Sequence, residues 1–359
     1  MKEPKVRVLI VDDSALMRRM LSDMLSSEPR IEVIGTAKDG VDALAKIRLL
    51  SPDVVTLDVE MPNKGGLEVL EELMAKNPTP VIMVSSHTQE GAQVTIKALS
   101  LGCVDFVAKP SGSVSTDIKE VAAELITKVL MAKHAKLRSV VKDAARPVVV
   151  TTAVQPQINR SSARGLRREI VAIAASTGGP MALQQLMSGL PGDFPVPIVI
   201  TQHMPKDFTA SFAKRLDSIS ALTVVEGEEG MPLKPGLAVV APGGSHLMVK
   251  RRSPGERVFC GLSDAPPVLS VKPAANIMFL SVVDEFGGNV VGVILTGMGR
   301  DGTDGATALR AKGAYIIAEA QETCVVYGMS RAAVEAGVVD EILPLHDIAG
   351  ALVRCVNLR

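Results

Sequence analysis

The sequence predicts two α/β domains in tandem. Residues 1–130 form a doubly wound domain on a five-stranded parallel sheet, and residues 169–359 form a second α/β domain with a mainly parallel sheet and a β-hairpin. Three observations carry this reading. Short β-branched apolar runs alternate with stretches of helical apolar spacing in both halves, the pattern of parallel sheets covered by helices. Residues 131–168 break that alternation with nine Lys or Arg against one Asp. At 359 residues, with 47% hydrophobic but only 3% aromatic residues and no Trp, the chain exceeds one compact domain and must build aliphatic cores.

In the first half, 6–11 (VRVLIV), 31–35 (IEVIG), 54–59 (VVTLDV), 81–85 (VIMVS) and 104–108 (VDFVA) read as strands. Between the first two, Ala15-Leu16, Met20 and Met24-Leu25 keep one apolar face, as a helix packed on the sheet requires. Residues 131–168, rich in Thr, Gln and Ser over 148–163, read as a basic linker, most simply a solvated tether. Strand-like runs resume at 170–175, 196–201, 237–241, 290–296 and 314–318. Residues 246–260 (HLMVKRRSPGERVFC) read as a hairpin turning at Pro254-Gly255.

The tips of the first sheet carry charge. Asp12 and Asp13 end the first strand, Asp58 the third, Ser86 follows the fourth and Lys109 the fifth. In an open parallel sheet the carboxyl ends of the strands face one crevice, so these side chains are expected to converge. Three carboxylates and a lysine suit Mg²⁺, which takes a few carboxylate oxygens and leaves room for a phosphoryl oxygen. The fitting chemistry is attack by Asp58 on phosphorus, with Lys109 balancing charge and Ser86 hydrogen-bonding the attached group. The alternative is that Asp12-Asp13 only cap the next helix. The stretches VLIVDDS, TLDVEMP, MVSS and VDFVAKP resemble the response-regulator receiver domain across the whole first half. That resemblance implies phosphotransfer from a histidine kinase, and Mg²⁺ held by Asp13, Asp58 and the Glu60 carbonyl with Asp12 assisting. It also puts Phe106 at the aromatic switch position.

In the second half the stretch EIVAIAASTGGP places Ser176 at a strand end before two glycines. Such a serine is ordinarily a helix cap. His203, in TQHMP, and Asp301, in GMGRDG, also follow apolar strands, so the three can meet at one crevice as nucleophile, base and orienting carboxylate for acyl transfer. Ala174 stands where a G-x-S-x-G elbow needs its first glycine, so a different hydrolase fold is implied. The glycines around Thr177 and Met298 make these two amides candidate oxyanion donors. Ser245 adjoins His246 in APGGSH, but strand neighbours point to opposite faces, so that pair is not expected to hydrogen-bond.

ASTGGP, TQHMP, APGGSH and LTGMGRDG resemble the chemotaxis protein-glutamate methylesterase (CheB) family, whose arrangement is a receiver joined by a linker to this domain. The resemblance covers nearly the full chain. It implies Ser176 as nucleophile, His203 as general base and Asp301 as its orienter, with no cofactor at the esterase site. It also implies a methyl-accepting chemoreceptor as substrate and glutamine deamidation as a second activity. The unphosphorylated receiver is implied to block the triad, and phosphorylation at Asp58 to relieve the block. One segment departs from the family: VKPAANIMF carries Lys272, Ala274 and Asn276 where many members have the Arg, Ser and Asp of Arg-Pro-Ser-Val-Asp. If it touches substrate, selectivity or rate changes.

Balanced charge, 39 basic against 39 acidic side chains, and the lack of a compact helix-turn-helix argue against a DNA-binding regulator or any nucleic-acid partner. A nucleotide- or phosphate-holding module built on the glycine-rich turns is the other rival, set aside on the reading that neither a GxxxxGK[ST] run nor a GxGxxG after a strand occurs. The scattered Cys103, Cys260, Cys324 and Cys355 suggest reduced thiols, with neither disulfides nor structural zinc. The first apolar run is too short for a signal peptide and no later one reaches membrane-spanning length. A cytoplasmic protein that does not insert into the membrane is expected.

Overall fold

The computed structural model describes residues 4–86, 88–109, 117–135, 168–251, 253 and 255–357. Five parallel strands, β1 (Val6–Val11), β2 (Ile31–Ala37), β3 (Val54–Asp58), β4 (Val81–Ser85) and β5 (Asp105–Ala108), form the first sheet in the order β2-β1-β3-β4-β5. All residues of β3, β4 and β5 are buried, as strands covered on both faces must be. The covering helices are α1 (Ala15–Ser26), α2 (Gly40–Leu50), α3 (Gly66–Lys76), α4 (Gln89–Ser100) and α5 (Asp117–Ala132). Ser14, Asp39 and Thr88 cap α1, α2 and α4, each accepting a hydrogen bond from an otherwise orphan amide.

α5 ends at Ala132, and the interior of the basic segment, 136–167, lies outside the described residues. The chain is picked up at Arg168, whose Nη1 donates to the carbonyls of Gly288 and Gly313.

The second sheet holds seven strands, all parallel. They are β6 (Ile170–Ala175), β7 (Ile198–Gln202), β8 (Thr223–Glu226), β9 (Leu237–Val240), β12 (Val290–Ile294), β13 (Tyr315–Glu319) and β14 (Glu341–Leu343), in the order β14-β13-β12-β6-β7-β9-β8. The separate antiparallel hairpin is β10 (His246–Arg251) with β11 (Val258–Ser263). Gly255 takes φ +87° in its turn; Pro254 lies outside the described residues. The helices are α6 (Gly179–Ser188), α7 (Lys206–Asp217), α8 (Ala275–Phe286), α9 (Thr303–Ala311), α10 (Met329–Glu335) and α11 (Leu345–Asn357).

Sequence reading misses β8 and β14, the two edge strands. They have four and three residues and are only partly buried, so neither leaves a long apolar run. The chain runs outward from β6 through β7, then returns to lay β12 on the other side of β6. The β6–β12 boundary is therefore the switch point, where a crevice opens beyond the strand ends.

The two sheets share a core. The buried cluster around Leu57 and Met83 continues through Ile96, Leu99 and Phe106 into Leu183, Phe208 and Phe212. The Phe106 and Phe208 rings lie 4.4 Å apart with a 37° tilt. Such a pair is worth about 0.5–1.5 kcal/mol beyond its burial. Among the described residues no helix is long and apolar enough to cross a membrane.

Candidate active site

The switch-point crevice is lined from three strand ends. Ser176 follows β6, and its amide donates to the Thr296 carbonyl just past β12 (3.1 Å). His203 follows β7, its amide donating to the Ala175 carbonyl (3.1 Å). Asp301 sits in the turn between β12 and α9. His203 Nε2 and Asp301 Oδ2 are 2.8 Å apart, with Asp301 buried and His203 half-buried.

Four donors converge on Asp301. Beside His203 these are the amides of Ala275 (2.5 Å, to Oδ2), Asn276 (3.0 Å, to Oδ1) and Gly302 (2.9 Å, to Oδ1). Burial pushes its carboxyl up, but His203 and the amides of Asn276 and Ala275 outweigh this and hold it below the usual carboxylate range. A carboxylate that stays charged orients the imidazole, taking a hydrogen bond from Nε2 and leaving Nδ1 on the other side of the ring.

Ser176 does not cap α6. The N-cap is Gly178, at φ +78°, two residues on. Among the described residues the Ser176 hydroxyl makes no hydrogen bond, to His203 or to backbone, nor do the amides of Thr177 and Met298. The structure thus brings His203 and Asp301 into contact and, among the described residues, leaves the Ser176 hydroxyl and the Thr177 and Met298 amides without a hydrogen bond.

The glycines have steric reasons. A Cβ at Gly297 would lie 2.8 Å from Ser176 Cβ and 2.3 Å from Met329 Sδ, and one at Gly178 would lie 2.5 Å from Val325 Cβ. The sequence reading that no GxGxxG follows a strand is wrong here: the run 297–302 has that spacing between β12 and α9, the form of a dinucleotide fingerprint. Here its fifth residue is Asp301, turned to His203, and its first glycine makes room for the serine.

Two groups escape sequence reading. Gln202 is buried, and its Nε2 donates to the carbonyls of Ser176 (3.0 Å) and His203 (3.1 Å), tying the two strand ends together. Thr296 Oγ1 donates to the Thr177 carbonyl (3.0 Å) and accepts from the Val326 amide (3.0 Å). Their signal is a polar residue closing each apolar strand beside a flagged residue. The segment VKPAANIMF lies behind Asp301, presenting it the amides of Ala275 and Asn276. Ser245 bonds Asp264 (3.2 Å) while both ring nitrogens of His246 face other groups, so these neighbours do not pair.

At the tips of the first sheet Asp12, Asp13, Asp58 and Lys109 also meet. Carboxylate oxygens of Asp12, Asp13 and Asp58 lie within 4.8 Å of one another. Lys109 Nζ is 2.8 Å from Asp58 Oδ2 and 3.0 Å from Asp12 Oδ2. Ser86 follows β4, half-buried, its Oγ 3.1 Å from Thr88 Oγ1. Asp12 partly serves the helix, Oδ1 accepting from the Ser14 amide (2.9 Å), but the N-cap of α1 is Ser14. Asp12 Oδ2 is buried with only the Lys109 ammonium beside it, and the three clustered carboxylates are the hard oxygen donors that a cation such as Mg²⁺ takes.

Burial pushes the Asp58 carboxyl up to about 6 and the Asp12 charge adds to it, against the pull of Lys109 and the Glu60 amide. Mg²⁺ binding is therefore expected to weaken as pH falls through about 6. Calorimetric titrations in buffers of differing ionisation enthalpy should detect proton release on Mg²⁺ binding below that pH and none well above it. Identical heats on both sides would contradict this.

Contacts between the halves end at the crevice. Thr177 Oγ1 donates to Asp105 Oδ2 on β5 (2.5 Å), and Ser100 Oγ on α4 donates to Gln184 Oε1 on α6 (2.8 Å). Lys128 Nζ pairs with Asp105 (3.2 Å) and donates to the Phe106 carbonyl (2.6 Å). Val325, which packs on Gly178, also joins the core of the first sheet.

Residues 171–352 match the family model for CheB methylesterase, and residues 8–119 that for the response regulator receiver domain. The protein-glutamate methylesterase/protein-glutamine glutaminase of Symbiobacterium thermophilum is 48% identical, over 98% of this chain and 97% of its own. The protein of the same name from Geobacillus kaustophilus is 49% identical, over 98% and 99%. The crystal structure of the Thermotoga maritima CheB methylesterase catalytic domain is 43% identical, with a TM-score of 0.51, over 52% of this chain and 97% of that one.

Proposed function

The chain belongs to the CheB methylesterase family, with a response regulator receiver domain ahead of the esterase domain, and on that premise we propose that it hydrolyses glutamyl methyl esters on a chemoreceptor, using Ser176, His203 and Asp301 under control of phosphorylation at Asp58. The observation that carries this reading is the 2.8 Å His203–Asp301 pair on a strand end that Gln202 ties to that of Ser176, whose hydroxyl makes no hydrogen bond among the described residues.

His203 Nδ1 takes the Ser176 proton as Oγ bonds to the ester carbonyl carbon. The oxyanion is received by the amides of Thr177 and Met298. Collapse of the tetrahedral intermediate breaks the bond to methoxide, which leaves as methanol with the proton from His203. Water then adds to the acyl-enzyme by the reverse proton route and releases glutamate. A glutamine amide follows the same path with ammonia leaving. Asp301, anchored by three amides, stabilises the imidazolium without taking its proton.

In the receiver domain, the Asp58 carboxylate forms the bond to phosphorus as the P–N bond to the kinase's histidine breaks. Lys109 balances charge and Ser86 hydrogen-bonds the attached group. Mg²⁺, held by Asp12, Asp13, Asp58 and the Glu60 carbonyl, would supply further charge compensation there. Thr177 supports the control step: its hydroxyl is held by Asp105, one residue before Phe106 in the switch position. A receiver docked on the oxyanion loop keeps a receptor helix out, and phosphorylation favours whichever receiver conformation releases it.

Methanol release from methylated receptor membranes tests the reading. The full chain should release methanol, faster with a small-molecule phosphodonor and Mg²⁺ than without. No release under either condition would refute it.

A further inference from the structure

One histidine of the crevice region takes no part in this chemistry. His246 opens β10 and is fully buried. Its Nδ1 lies 3.1 Å from the Ala274 amide and its Nε2 3.2 Å from the Pro266 carbonyl. An amide can only donate and a carbonyl only accept, so Nδ1 is the acceptor and Nε2 carries the hydrogen.

Ala274 is the N-cap of α8 and has no side chain that could cap it. The two amides that follow, Ala275 and Asn276, are those that hold the Asp301 carboxylate, at 2.5 and 3.0 Å. The same turn is fixed to α9 through Asn276 Oδ1, which accepts from the Gly305 amide (2.9 Å). Along β10, the Val249 amide donates to Ser281 Oγ of α8 (2.9 Å), so the strand's position on the helix is set at two points. A continuous set of directed bonds therefore runs from His246 through the first turn of α8 to Asp301, and from Asp301 to His203.

We infer that His246 is a positioning residue for ester hydrolysis: its Nδ1 holds the first turn of α8 in the place from which two amides aim Asp301 at His203. The hairpin of β10 and β11 is then a brace behind the acid end of the triad. A misplacement of about 1 Å in a catalytic group can cost on the order of 100-fold in rate, so a lost brace is felt in turnover. The substrate side of the crevice is untouched, so KM should hold.

The inference rests on the esterase reading, and the test separates the two. The full chain with phosphodonor is assayed on methylated receptor membranes as parent, Ser176→Ala, His246→Gln and His246→Asn. Glutamine offers a donor where Nε2 stands but no acceptor where Nδ1 stands, whereas asparagine offers an acceptor near Nδ1. His246→Gln is expected to lower kcat by about 10- to 100-fold at unchanged KM, with His246→Asn remaining close to the parent. A merely structural histidine would be harmed similarly by both.

A ¹⁵N-histidine spectrum of the parent gives a second reading, with the His246 ring expected as the Nε2-protonated tautomer. Parental kcat in His246→Gln, equal loss in both His246 variants, or an Nδ1-protonated ring would each overturn the brace. A parent that releases no methanol would instead overturn the esterase reading, while the spectrum still tests the Ala274 contact.

Discussion

Replacing Ser176 with alanine is expected to abolish methanol release, a loss on the order of 10⁶-fold in kcat, the scale seen when a nucleophile of a Ser-His-Asp set is removed. The size of the effect follows from the crevice. Among the described residues the neighbouring hydroxyls are engaged elsewhere: Thr177 Oγ1 is turned away to Asp105, and Thr296 Oγ1 is engaged by Thr177 and Val326. Ser245 is bonded to Asp264 beside a histidine whose ring nitrogens are both occupied. Phosphorylation of Asp58 should be unchanged, because that carboxylate stands in the first sheet with its own lysine and acidic neighbours. Parallel assays of methanol release and phosphoryl incorporation check both halves of the statement. Activity near the parent's would remove Ser176 from the mechanism.

The isolated 165–359 fragment is expected to outpace the unphosphorylated full chain by roughly 5- to 150-fold, the range typical of coupling between two sites. In the full chain, Asp105 engages Thr177, Ser100 engages Gln184, and Phe106 stacks near Phe208. Removing the first sheet frees Thr177 from Asp105 and, on the proposed control, is expected to open the approach to Ser176. It also bares Leu183, Phe208 and Phe212, which the shared core now covers, so the fragment should be less soluble or less stable than the full chain. The rate comparison is made at matched active-site concentration, titrated with a serine-directed phosphonyl reagent. Equal rates would remove the covering account of control.

Much of this was legible in the sequence because parallel strands buried on both faces leave continuous apolar runs. Strands 6–11, 81–85 and 170–175 coincide with the predicted runs, and other predicted runs that became strands shift by one or two residues. Residues at strand ends were legible for the same reason, since the crevice rule turns sequence position into spatial convergence. What escaped were the Gln202 and Thr296 side chains, which tie strand ends together, and groups whose work is done by the backbone. The amides of Ala275 and Asn276 hold Asp301 whatever their side chains are, so in sequence VKPAANIMF shows only as a departure from the family and its support of Asp301 stays hidden. The run 297–302 shows the opposite limit: its spacing fits a nucleotide loop, and only the contacts of Gly297 and Asp301 decide otherwise.

The pairing of β6 with β12 matches Ile170 to Val290 across a long stretch of chain. That separation has a consequence during synthesis. A growing polypeptide that has already left the ribosome with its serine and imidazole still lacks the strand and carboxylate that complete them, and contacts so distant along the chain form late. On the proposed Ser-His-Asp chemistry, the nascent protein is expected to stay silent until Asp301 emerges, and a product truncated before that residue is expected to hydrolyse no methyl ester.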